Sequence, residues 1–167
     1  MFSKVSKANE DFQVAQLEEL MSNYGEIVEV FFDMGEPTLA QSKRFRDTVK
    51  KYQPDALING RVMNNQGDFL TMPDNHVPDS PITEYPWETP RTFYHTWGYK
   101  SWVKGLPLYE QIAVQVRKLS DIASMGGNFL LNIGPKGDGS ILPYEKDVLV
   151  GVGKWLEKIT KRFLKQT

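Results

Sequence analysis

Cysteine is absent from this 167-residue chain, and histidine occurs only twice. The lack of cysteine removes disulfides and thiolate metal sites, and it says nothing firm about compartment. No apolar run is long enough to span a bilayer. The net charge of -1, with no basic stripe interleaved with aromatics, gives no broad electrostatic case for nucleic acid or anionic lipid. The opening residues, MFSKVSKANEDFQ, contain no apolar h-region and are not a secretory signal as they stand. GPKGDG follows an apolar run but matches neither the dinucleotide nor the P-loop pattern. Nothing has ligand spacing for a metal, and no organic cofactor is implied. Among what is present, 40 % hydrophobic and 25 % charged residues fall in the globular range, and the length suits one ordinary domain over 1–167. Aromatics reach 12 %, with four tryptophans, a content that serves sugar pockets and cores alike.

Hydrophobic spacing then divides the chain. DFQVAQLEELMSNYG reads as a helix with Phe12, Leu17, Leu20 and Met21 near one face. EIVEVFFD, residues 26–33, reads as a strand. TLAQSKRFRDTVKKYQP is a second helix with Thr38 as N-cap and Pro54 past its end. DALING is a short buried strand. Residues 61–90 form a long loop with a brief strand at DFLTM, and RTFYHTWGY is a strand or strand end. LYEQIAVQVRKLSDIASMGG is a helix closed by Gly126-Gly127. NFLLNIGP is a strand, and Pro143 opens the last helix. This alternation predicts an α/β fold of parallel strands with flanking helices. The apolar runs VEVFF and LLNI predict a sheet buried on both faces.

The polar residues at the strand ends are the candidates for chemistry: Asp33, Asn59, Arg61 and Asn132. In parallel α/β folds that edge is where sites are built. A helix-capping or turn role competes for Asp33, and a backbone-bonding role for Asn132. A second set of acids, Asp68, Asp74, Asp79, Glu84 and Glu88, lies in the long loop among Tyr85, Trp87, Trp97, Tyr99 and His76. Carboxylates beside aromatics can be held in different protonation states. Glycoside hydrolysis needs that arrangement, with carboxyl groups about 5–5.5 Å apart in retaining enzymes.

NYGEIVEVFFDMGEPT, GDFLTMPDN, PWETP, TWGYKSW and GGNFLLNIGPKGDGSI occur in this order across most of residues 15–158. Together they resemble the catalytic domain of glycoside hydrolase family 29, the α-L-fucosidases. The resemblance implies a partial (β/α)8 TIM-like barrel and a retaining mechanism through a covalent fucosyl-enzyme. It implies a fucosylated oligosaccharide or glycoconjugate as substrate, with no cofactor. Asp33 matches the nucleophile of the family's Trp-Phe-Asp-Gly pattern, with Phe31 in the Trp place and Met34 in the Gly place. The acid/base is expected at Asp74 first and Glu88 second. Arg61, His76, Trp87 and Trp97 are the expected substrate-binding residues. The glycine-rich tail of the last motif is expected to use Gly134, Gly137 and Gly139 for positive φ.

Members of that family are longer, and a β-sandwich usually follows the barrel. The resemblance implies about the last five strand units, without roughly the first three. Several fucose-binding residues, histidines among them, come from that first part, and neither His76 nor His95 matches them. KITKRFLKQT leaves the family pattern. A half barrel exposes strand edges and an apolar face. The expectation is a fragment that is dimeric, is completed by another chain, or has a rearranged edge. The catalytically inactive remnant or carbohydrate-binding fragment is the alternative function. Relatives are often secreted, periplasmic or lysosomal, and nothing in the sequence chooses among these.

Overall fold

A computed structural model describes residues 3–94, 96–101 and 105–163. The chain divides into two compact units, Met1–Thr71 with Glu84–Trp87, and Met72–Thr83 with Glu88–Thr167.

In the first unit, α1 (Lys7–Asn23) starts four residues before the apolar periodicity because the Ser6 hydroxyl accepts the Asn9 N–H. An orphan donor of the first turn is thereby satisfied. Thr38 caps α2 (Leu39–Tyr52) through a reciprocal box with Gln41. Val14, Leu17 and Met21 of α1 pack with Phe45 and Val49 of α2 and with Ile58 and Val62. Phe32 stacks on Phe45 at 5.9 Å between centroids. The strands β1 (Glu29–Val30) and β2 (Leu57–Ile58) pair in parallel, Glu29 against Leu57 and Val30 against Ile58. A 3₁₀ turn (Gly60–Val62) follows, then β3 (Leu70–Thr71). The Gln53 carboxamide ties the α1 terminus to the start of β1. It donates to the Met21 and Gly25 carbonyls and accepts the Ile27 N–H.

The strand expected over 26–33 is therefore a two-residue ladder. Beyond Val30 the partner of the chain is a side chain, the Asn59 carboxamide, rather than a strand. Burial on both faces is also corrected. One face of β1–β2 packs on the helices, while Phe31 and Leu57 on the other remain 37 % and 44 % exposed.

In the second unit, β4 (Trp87–Thr92) contributes Glu88–Thr92 and pairs in parallel with β5 (Asn128–Asn132), from Glu88 against Asn128 to Thr92 against Asn132. Residues 87–90 thus belong to a strand, not to the long loop. Pro90 presents its carbonyl to the Asn75 N–H of an adjoining turn, where no ladder needs its missing donor. Ile122 of α3 (Leu108–Ser124) and Val148 of α4 (Pro143–Phe163) are fully buried. Phe93 meets Tyr144 edge-on at 6.4 Å. Leu130, at the centre of β5, is 42 % exposed, so β5 also has an open face. Of the three glycines expected at positive φ, Gly139 alone adopts it. Gly134 is needed for another reason: a Cβ there would lie 2.9 Å from the Tyr99 nitrogen.

Candidate active site

Asp33 follows β1, and Arg61 sits in the turn after β2, so parallel pairing brings both to the same end of the first unit. Arg61 Nη1 lies 2.8 Å from Asp33 Oδ1, and the Asp33 side chain is 45 % exposed. The guanidinium also lies over the Phe31 ring, 5.5 Å from its centroid. Cation–π contact of this kind orients the Arg plane without consuming its forward N–H groups. Met34 takes a left-handed backbone with φ of 63°, turning the chain sharply after the carboxylate. A cleft of about 190 Å³ opens beside Asp33, lined in part by Lys4, Asn9, Gln13, Phe32 and Arg61. Its size is below that of sites for drug-sized ligands, about 300–1,000 Å³.

Asp68 belongs to the scaffold beneath this pair. It pairs with β2 through both its own N–H and its carboxylate, which accepts the Ile58 N–H at 2.9 Å and holds Lys50 at 2.8 Å. Burial pushes its carboxyl up. The Lys50 and Ile58 hydrogen bonds and the Lys50 and Arg46 charges outweigh that and leave it below the usual range. Glu29, on the open face, is pushed up by burial.

Of the other candidates, Asp74, His76, Glu88, Trp97 and Asn132 lie in the second unit. Asp74 and His76 are exposed on the turn Pro73–His76, closed by the His76 N–H on the Pro73 carbonyl. That turn is pinned by Asn75, which sequence reasoning did not single out. Its N–H donates to the Pro90 carbonyl, and its side-chain oxygen accepts the Thr92 N–H. Its φ of 59° is the local signal for Asn, since Asn tolerates the left-handed region better than most residues. Glu88 is only 5 % exposed, near the start of β4 rather than at its C-terminal end. Trp97 is 41 % exposed, and Asn132 donates to its carbonyl at 2.7 Å. Asn132 is thus a backbone-bonding residue. Trp87, in the first unit, is fully buried and offers no face to a sugar in this arrangement. His95 and Trp102 lie outside the described residues. Among the described residues, no three His, Cys, Asp or Glu side chains group to hold a metal ion, and no helix is long and apolar enough to cross a membrane.

Comparison with known proteins places this geometry in context. The family model described as Alpha-L-fucosidase matches residues 2–161. The tissue alpha-L-fucosidase of Mus musculus is 31 % identical over 108 residues, 62 % of this chain and 24 % of that protein. Alpha-L-fucosidase isoenzyme 1 from Paenibacillus thiaminolyticus superposes with a TM-score of 0.81 at 29 % identity, covering 90 % of this chain and 39 % of the other. A mutant of alpha-L-fucosidase AlfC in complex with 4-nitrophenyl α-L-fucopyranoside, an enzyme known from Lactobacillus casei, gives 0.77 at 30 % identity, with 93 % and 46 % covered. The chain spans about a quarter of that curated relative and less than half of those structures.

Proposed function

Since the chain belongs to the α-L-fucosidase family, we propose that it carries the nucleophile half of a retaining fucoside hydrolase site. The observation that carries this is the Asp33–Arg61 pair at the C-terminal ends of two adjacent parallel strands. Arg61 takes Oδ1, so Oδ2 is the atom to attack the anomeric carbon of an α-L-fucoside. The bond to the leaving oxygen breaks as a carboxylic acid protonates it, giving a fucosyl ester on Asp33. The former acid, now a carboxylate, then takes a proton from water. That water attacks the anomeric carbon, breaks its bond to the Asp33 oxygen, releases fucose and restores the Asp33 carboxylate.

Asp74 is preferred over Glu88 for the acid/base. It is solvent-exposed on a turn anchored at the C-terminal half of β4, whereas Glu88 is buried near the strand's start. His76, Trp97 and Arg61 are the proposed sugar contacts. Burial of Trp87 suits a core role better than a sugar contact. In the finer reading of the fold, these parallel strands are about the last five of a (β/α)8 barrel. Its open edge would be completed by a second copy or a complementing chain. Support for that reading comes from parallel pairing within each unit and from exposed Phe31, Leu57 and Leu130.

The test is hydrolysis of 4-nitrophenyl α-L-fucopyranoside by the purified chain, beside Asp33→Asn, Asp74→Asn and Glu88→Gln. Turnover should vanish in Asp33→Asn and fall about 10²–10⁴-fold in Asp74→Asn, with Glu88→Gln largely active. Fucose binding without turnover would favour the carbohydrate-binding remnant instead.

A further inference from the structure

We infer that Asn59 is a positioning residue that holds the backbone of Asp33 in line for attack, through a two-point clamp on Phe32. This rests on Asp33 being the nucleophile. Asn59 is fully buried. Its side-chain oxygen accepts the Phe32 N–H at 2.8 Å, and its side-chain nitrogen donates to the Phe32 carbonyl at 3.0 Å. Both backbone groups of Phe32 are therefore held by one rigid planar amide. The Phe32 carbonyl belongs to the peptide unit that joins Phe32 to Asp33, so the clamp fixes the plane from which the Asp33 side chain departs.

Asn59 is itself fixed from three sides. Its N–H donates to the Val30 carbonyl at 3.3 Å, the last ladder bond of β1–β2. Its carbonyl accepts the Val62 N–H at 3.3 Å. Gly67 packs against that carbonyl so closely that a Cβ there would lie 2.7 Å from the oxygen. The Asn59 carbonyl thus anchors the 3₁₀ turn that carries Arg61, while its carboxamide anchors the peptide before Asp33. One residue sets both members of the ion pair, and a planar carboxamide carries the donor and the acceptor that those two points need.

Amide exchange read by NMR on the 167-residue chain tests the clamp without requiring activity. Ser42→Ala is the control, because it removes a buried bond to the Val62 carbonyl in the same unit without touching Phe32. In Asn59→Ala the Phe32 amide should exchange about tenfold faster relative to those of Val49 and Ile58. In Ser42→Ala the three should move together. Equal acceleration in Asn59→Ala would overturn the clamp and leave a merely structural asparagine. Should Asn59→Ala fail to fold, Asn59→Asp, read at a pH where that carboxyl is ionised, keeps the acceptor and loses the donor. The Phe32 carbonyl carbon and Asp33 amide nitrogen resonances should then shift, and their constancy would overturn the inference.

With turnover, kcat should fall in Asn59→Ala while KM stays near its unsubstituted value, a split that Ser42→Ala should not produce. If the unsubstituted chain gives no turnover, the hydrolase reading fails for this chain and exchange alone decides the clamp.

Discussion

Met34, directly after Asp33, holds φ at 63° with a side chain 72 % exposed. An L-residue in that region carries about 1–2 kcal/mol of steric cost, and glycine carries none. Against this, glycine loses about 0.5–1 kcal/mol more backbone entropy on folding. So exposed a side chain has little packing to forfeit. Met34→Gly should therefore raise stability by about 0.5–1 kcal/mol, read as a higher urea midpoint at unchanged m. A lower midpoint would mean that the Met34 side chain makes contacts worth more than the strain. The sequence displays this position as a departure from Trp-Phe-Asp-Gly, but not the dihedral that makes glycine the fitting residue. Asp33 and Arg61 are legible because strand ends and a motif point to them. Asn75 is not, because its role depends on contacts with Pro90 and Thr92 that lie far along the chain.

At the scale of elements, the helices are the legible part, although Phe12 and Leu20, expected on the apolar face of α1, are 63 % and 44 % exposed while Val14 takes the buried place. Their burial repeats every three to four residues, and their caps lie within three residues of the ends. Strands of two residues carry no such period. Side chains do part of the ladder's work, Asn59 above β1 and Asp68 beside β2. β4 was hidden by Pro90 and by the acid of PWETP. Its pairing is decided by β5 nearly forty residues later, and local composition cannot report that. The dependence of β2 on Asp68 has a measurable consequence. Asp68→Asn keeps an acceptor for the Ile58 N–H but removes the charge that Lys50 and Arg46 face. The expected loss is about 1.5–3 kcal/mol. Thermal or urea unfolding of the variant checks it, and a change within experimental error would reduce Asp68 to a bystander.

At the scale of the whole molecule, one buried or half-buried carboxylate in each unit, Asp68 and Glu145, is shifted in the opposite direction to the other. In the first, Asp68 is held below its ordinary value of 3.8. Its contribution is present above that value and is lost as pH falls through the folded value. In the second, Glu145 is 1 % exposed, and one of its oxygens has no hydrogen-bond partner. Burial pushes its carboxyl above 4.5, against a hydrogen bond from the Gly134 N–H. The sign is reversed for this group. The neutral form is the one the fold accommodates, so its full contribution exists below 4.5 and is lost as pH rises through the folded value. Removing each charge should bend the stability profile on a different side. Asp68→Asn should flatten the acid limb, most visibly in amides of the first unit such as Val49. Glu145→Gln should raise stability at neutral pH and flatten the decline above 4.5, most visibly in amides of the second unit such as Ile122. Amide exchange across a pH series separates the two, once intrinsic rates are divided out. If Glu145→Gln lowers stability at neutral pH, the buried carboxylate has a compensating partner in the charged state and the sign assigned to it is wrong. If both variants act on the same limb in the same amides, the two units unfold as one body, and their carboxylates cannot be read apart.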